Sequence, residues 1–203
     1  MPIVTPEAPK QSIEALGGTL ASLATSAGLK RAAPNFAARI AASPSELRTP
    51  GLSYRVYVLG LADMLDAKDL TPAKLSAWRH EFAVKDEVVA IDVTTGRQPQ
   101  FSSLNVSPVA HSVQRHLDSA AFEASNFGPQ SYDVALLRVP ALAVRAVWLK
   151  SRSRSHEDII VPLAPPMPSE LTAHQRYTAT EFIDALRPAA RRVLAAEAPG
   201  KGG

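Results

Sequence analysis

Apolar positions change their period several times along the chain, and those changes mark the expected elements. From Ser12 to Leu29 they fall at Ile13, Leu16, Leu20, Leu23 and Ala27. That 3-4-3-4 spacing predicts one face of a helix, weakened by Gly17 and Gly18. A shorter helix is expected over 35–42, and Pro44, Pro50 and Gly51 mark a loop after it. Residues 54–59, Tyr-Arg-Val-Tyr-Val-Leu, are rich in β-branched and aromatic side chains and predict a strand, with a helical turn over 61–65. Thr71-Pro72 has the form of an N-cap followed by N1 proline, and Leu75, Trp78 and Phe82 follow at helical spacing. A helix over 71–82 is therefore expected.

The run 87–93, Glu-Val-Val-Ala-Ile-Asp-Val, predicts a strand covered on both faces. After a polar loop, Ser107-Pro108 repeats the N-cap pattern. Val109, Val113, Leu117, Ala120 and Ala121 then give a stripe for a helix to about residue 124. A turn at 126–129 precedes strands at 132–139 and 142–151, with Pro140 between them as a tight connection or as a bulge in one long bent strand, and another strand at 158–163. Pro165-Pro166-Met167-Pro168 reads as a stiff linker. Thr178-Ala-Thr-Glu181 spells a capping box that opens the last helix, in which Pro188 should form a kink.

The order implies an α+β fold. A helix-rich N-terminal half packs on a mostly antiparallel sheet of about four to five strands, with a C-terminal helix closing the chain. The expected organisation is an extended arm over 1–10, a single domain over 11–197 and a frayed tail over 198–203.

Composition narrows the chemistry more than it names it. There are 203 residues, 46% hydrophobic and 20% charged, with 17 prolines and no cysteine. The absence of cysteine excludes disulfides, thiol catalysis and the common structural zinc sites, and suits a reducing, cytoplasmic setting. Twenty-two Lys+Arg stand against 19 Asp+Glu, a net charge of +3. That excess is too small and too dispersed to suggest a dedicated nucleic-acid binder. No run approaches the roughly 18 apolar residues of a membrane span, and the first residues do not read as a secretory signal. No phosphate-loop, dinucleotide, serine-elbow or metal-helix motif is present.

Three surfaces remain as candidates. The first is a ligand-binding loop after the 87–93 strand: Asp92, Thr94, Thr95, Arg97, Ser103 and Asn105, placed before the expected helix N-terminus, could receive a phosphate or carboxylate. The second is an interaction stripe, Ile13, Leu16, Leu20 and Leu23, able to pack on its own domain or on another chain. The third is the basic run 150–156, in which Lys150, Arg152 and Arg154 would share one face of a continued strand and could touch phosphates. His111, Arg115 and Asp118 also align on one helical face, His80 reads as a dipole partner at a helix end, and Asp63, Asp66 and Asp69 form an acidic series. Trp78 and Trp148 read as core anchors.

No cofactor or metal is implied. The leading expectation is a non-enzymatic interaction or assembly component whose partner is another protein or a second copy of itself. A small enzyme or ligand-binding domain acting through the 94–105 loop is the alternative, and nucleic-acid binding through the basic run the third.

Overall fold

The computed structural model describes residues 3–23, 25–42, 50–85, 87–108, 113, 117, 131–153, 157–163 and 167–197. Its helices are α1 (Lys10–Leu23), α2 (Ala27–Ala32), α3 (Pro34–Ala42), α4 (Leu61–Asp66) and α5 (Ala179–Glu197). Its strands are β1 (Ile3–Val4), β2 (Leu52–Val58), β3 (Lys74–Val84), β4 (Glu87–Thr94), β5 (Phe101–Pro108), β6 (Tyr132–Val139), β7 (Val144–Ser151), β8 (Ile159–Pro162) and β9 (Tyr177–Thr178). Eight strands follow the order β5-β4-β3-β2-β6-β7-β8-β9, and β1 pairs with β6 in parallel. The sheet is therefore mixed, and it has eight strands on its main path rather than the expected four to five.

The difference comes from the two-residue β9, from β5, most of which reads in the sequence as a polar loop, and from β3, in a segment that the periodicity assigned to a helix. Residues 71–82 do not form one. Thr71 and Pro72 lie in a turn, closed where the Thr71 amide donates to Asp69 Oδ1 at 2.8 Å and the Ala73 amide to Leu70 O at 3.0 Å. Thr-Pro suits such a turn as well as it suits a helix start. From Lys74 the chain is β3, in which Trp78, His80 and Phe82 alternate onto one face. Leu75, expected inside, is 41% exposed. Likewise Ser107-Pro108 does not open a helix but ends β5. Of the stripe expected beyond it, Val113 and Leu117 are helical and buried. Its other members, the turn at 126–129, and His111, Arg115, His116 and Asp118 lie outside the described residues, as does the tail at 198–203.

Two compact units divide the chain: one from 5–55 and 76–126, the other from 1–4, 56–75 and 127–203. In the first unit, α1, α2 and α3 cover one face of β3 and β4. Leu16, Leu20, Phe36 and Ile40 meet Phe82, Val89, Ile91 and Val93, each such burial contributing about 1.5–3 kcal/mol. The helical segment expected over 12–29 is two helices. Ser26 caps the second, its Oγ accepting from the Leu29 amide at 3.3 Å. The Glu87 carboxylate accepts from the Asn35 amide at 3.3 Å, Asn35 Nδ2 at 2.9 Å and the Phe36 amide at 3.1 Å. It thus places negative charge on the free N–H groups opening α3.

In the second unit β6 and β7 form a hairpin through a 3₁₀ turn at Pro140–Leu142, with Ala143 left-handed at φ 55°. The structure so makes Pro140 the connection between two strands. β8 and β9 continue the antiparallel pairing. Residues 3–4 of the expected arm add β1 beside β6. Phe182, Ile183 and Leu186 of α5 pack with Leu61 and Met64 of α4 over Leu137, Val139, Trp148 and Ile160. Thr178 and Glu181 make the expected capping box: the Thr178 amide donates to Glu181 Oε2 at 2.8 Å and the Glu181 amide to Thr178 Oγ1 at 3.2 Å. Those bonds from Thr178 hold the Glu181 carboxyl below its ordinary range. Pro188 lies inside α5. Among the described residues no helix is long and apolar enough to cross a membrane.

The cap gives the first test. Thr178→Ala should lower the melting temperature by about 2–4 °C, while Thr178→Ser should leave it nearly unchanged. Thermal unfolding by circular dichroism measures both, and equal losses would mean that the hydroxyl does not cap α5.

Candidate functional site

The densest polar chemistry of the first unit lies inside the sheet. Three consecutive β3 residues, Arg79, His80 and Glu81, are all buried, as is Asp92 on β4. Alternation sends Arg79 and Glu81 to one face and His80 to the other.

The register pairs Arg79 with Asp92. Arg79 Nε donates to Asp92 Oδ1 at 2.6 Å and Nη2 to Oδ2 at 2.8 Å, a two-pronged ion pair whose members are 7% and 1% exposed. From β5, Ser103 Oγ donates to Asp92 Oδ2 at 2.8 Å, and Asn105 Nδ2 reaches Ser103 Oγ at 3.4 Å. Burial by itself would lower the Arg79 pKa. The Asp92 hydrogen bonds, with the negative charge of Asp92 and Glu81, outweigh it and hold the guanidinium charged. On the same face Tyr54 Oη donates to Glu81 Oε1 at 2.5 Å. Burial, then the Glu81 carboxylate, pushes the Tyr54 phenol well above its ordinary pKa, so it stays a donor.

On the helix-covered face His80 sits between two hydroxyls. Ser12 Oγ of α1 is 2.9 Å from Nε2, and Ser53 Oγ of β2 is 2.9 Å from Nδ1. A neutral imidazole donates through one nitrogen and accepts through the other, so one serine accepts and the other donates. Burial lowers the His80 pKa to about 4, against a smaller opposing pull from Asp92. A serine 2.9 Å from an imidazole nitrogen is also the spacing of a nucleophile and its base. Here, however, His80 is fully buried, Ser12 nearly so, and an imidazole of such low pKa is a poor base near neutrality. The arrangement ties α1 to the sheet. His80 is thus a buried strand residue and not a dipole partner at a helix end.

The expected ligand loop is a β4–β5 hairpin connection, and no helix N-terminus stands at its end. Thr94 Oγ1 accepts from the Gln100 amide at 3.0 Å, closing the loop on itself, and Thr95 Oγ1 donates to Ser76 O at 3.4 Å, tying the loop to β3. Arg97 is exposed. Asp92, Ser103 and Asn105 do come together, in a chain of hydrogen bonds that ends on the carboxylate Arg79 holds.

Of the interaction stripe, Leu16 and Leu20 are buried in the unit's own core, while Ile13 and Leu23 are half-buried. In the other unit Lys150 Nζ lies 4.4 Å from the Tyr57 ring centre and 4.3 Å from that of Trp148, a cation–aromatic contact. Trp148 Nε1 donates to Asp158 Oδ2 at 2.8 Å. Arg152 Nε donates to Asp133 Oδ1 at 2.7 Å. Arg154 lies outside the described residues. Lys74 Nζ is 3.7 Å from Asp63 within the expected acidic series. Among the described residues no group of three or more His, Asp or Glu could hold a metal ion.

Sequence reading missed Arg79, Glu81 and Tyr54. The available signal was the period-two run Trp78, His80, Phe82, Val84, whose intervening polar residues face Asp92 and Tyr54.

Two tests follow. Asp92→Asn removes the charge facing Arg79 and should cost about 3–5 kcal/mol of unfolding free energy, whereas Arg79→Met with Asp92→Leu should cost much less. Urea unfolding decides, and equal losses would show that the isolated charge is not the cause. For His80 the unfolded chain binds a proton near its ordinary pKa of 6.5, while the folded chain binds one only near 4. Its contribution is full above 6.5 and is lost as pH falls toward 4, by about 3 kcal/mol in all. His80→Gln should remove that part of the pH dependence, and a variant tracking the wild type between those two pH values would refute it.

The chain matches no family model, no curated protein and no solved structure.

Proposed function

We propose that the chain is a non-enzymatic interaction component that receives an extended partner segment along β5. The supporting observation is the state of that strand. β5 stands at the end of the strand order and pairs only with β4 among the described strands. Its eight residues, Phe-Ser-Ser-Leu-Asn-Val-Ser-Pro, carry no ionisable side chain, and Phe101 is 45% exposed. A sheet edge presents a row of backbone donors and acceptors, and soluble proteins commonly defend such edges with charge. Strand addition uses an undefended edge for affinity and the side chains beside it for selectivity.

The rest of the chemistry is consistent with this reading. The buried ionisable groups of the first unit are engaged with internal partners, and Lys150 and Arg152 rest on rings and on a carboxylate. A chain without cysteine suits a cytoplasmic setting.

The test is the size of the species in a native extract of the producing cells. The chain should migrate above its own 21.7 kDa mass, and Asn105→Lys, which puts charge on the exposed edge, should return it toward that mass. Ser102→Lys, also at an exposed β5 position, should act in the same direction. Migration at the mass of the single chain, unchanged by either substitution, would remove the reading.

A further inference from the structure

Resting on the β5 reading above, we infer that the segment received by β5 is β5 of a second copy, paired antiparallel about Asn105.

The register of β5 on β4 fixes which of its residues share the side of the helices. Leu104 lies opposite Ile91 and Val106 opposite Val89. Opposed residues in an antiparallel pair share a face, so Leu104 and Val106 belong to the helix-covered side, where both are only partly buried. The register then shifts: Asp92 opposes Ser103 while Val93 opposes Phe101, leaving Ser102 as the extra residue. The shift returns Phe101 to the side of Val93. Phe101, Leu104 and Val106 thus form an apolar row along the outer margin of the core, covered on the β4 side and incompletely covered beyond it.

A strand that completed this margin would need open backbone groups, apolar residues at alternate positions and no charge between them. Among the described residues β5 has those properties itself. Two copies related by a two-fold axis normal to the sheet present the same edge to each other, the self-complementary arrangement of most dimers. Antiparallel pairing preserves side, so residues of equal parity must face each other. The register that sets apolar against apolar places Leu104 opposite the second copy's Val106, and therefore Asn105 opposite Asn105. Both strands are uncharged, so no like-charge opposition arises at the contact, as it would for an edge bearing lysine. The Asn105 side chain is exposed, on the face opposite the apolar row.

A cysteine experiment reads this geometry, because the chain has no cysteine of its own. Opposed residues in an antiparallel pair have Cα atoms about 4.5–5.5 Å apart, within the span of about 4.4–6.8 Å that a disulfide bridges. Asn105→Cys should therefore give a covalent dimer under mild oxidation. Ser102→Cys should not, since its symmetry mate lies six residues away, about 20 Å along the strands. Light scattering of the purified wild-type chain should give about twice 21.7 kDa, and Asn105→Lys should weaken self-association about tenfold or more.

A purified chain that stays monomeric at its highest attainable concentration, with no Asn105→Cys cross-link, overturns the second copy. If the native species were nonetheless large and sensitive to Asn105→Lys, the β5 reading would stand and the occupant would be another chain. Equal cross-linking of the two cysteine variants would overturn the register and, with it, the proposed pairing.

Discussion

The ion pair between Arg79 and Asp92 constrains the first unit more than any other contact. Taking both charges out of water is costly, and only close, two-pronged geometry with further hydrogen bonds offsets it. That geometry exists in a single register of β3 on β4, with the two residues opposed. Shifting either strand by one residue would turn its charged side chain toward Phe82, Val89 and Ile91, where no compensating partner stands. The pair therefore contributes to specificity as well as to binding energy. Ser103 extends the constraint to β5, since its hydroxyl bonds the same carboxylate from the next strand.

His80 does on the opposite face what the ion pair does on its own. Its two nitrogens join Ser12 on a helix to Ser53 on a strand. An apolar residue there would leave both hydroxyls without that partner, the Ser12 hydroxyl in a buried position. A neutral imidazole satisfies both because it is donor and acceptor at once. The burial that keeps it neutral also makes the contact sensitive to acid. The polar residues of β3 thus fix the strand from both sides, one through charge and the other through neutrality.

The same residues explain where sequence reading succeeded and where it failed. The strand at 87–93 and the capped C-terminal helix were legible from a short apolar run and a Thr-x-x-Glu start, whereas 132–151 was legible as extended chain but Pro140 left open whether it bends one strand or joins two. β3 was not legible, because Leu75, Trp78 and Phe82 fall at helical spacing by coincidence and Arg79, His80 and Glu81 break the apolar alternation. A buried guanidinium looks like a surface residue until its carboxylate, thirteen positions away, is seen beside it. β5 was misread because Ser-Pro can end a strand as well as open a helix. Of the candidate ligand loop, Asp92, Ser103 and Asn105 are linked by hydrogen bonds, while Thr94, Thr95 and Arg97 stand apart from them. The cation that holds Asp92 was invisible while Arg79 was assigned to a helix.

The buried network and the open edge are parts of one construction. A two-stranded core pair with a charged contact at its centre needs a third strand to complete the hydrogen bonding of Asp92, and Ser103 supplies it. That requirement sets the register of β5 from within, and so fixes which of its residues reach the outer margin. With Ser103 turned toward Asp92, Leu104 and Val106 must turn toward the helices, and the register shift at Ser102 brings Phe101 back to their side. The apolar row on β5 is thus positioned by a salt bridge anchored on the adjacent strand. A substitution that freed Asp92 from Arg79 would loosen the very strand that carries the proposed contact, without altering a single residue on it.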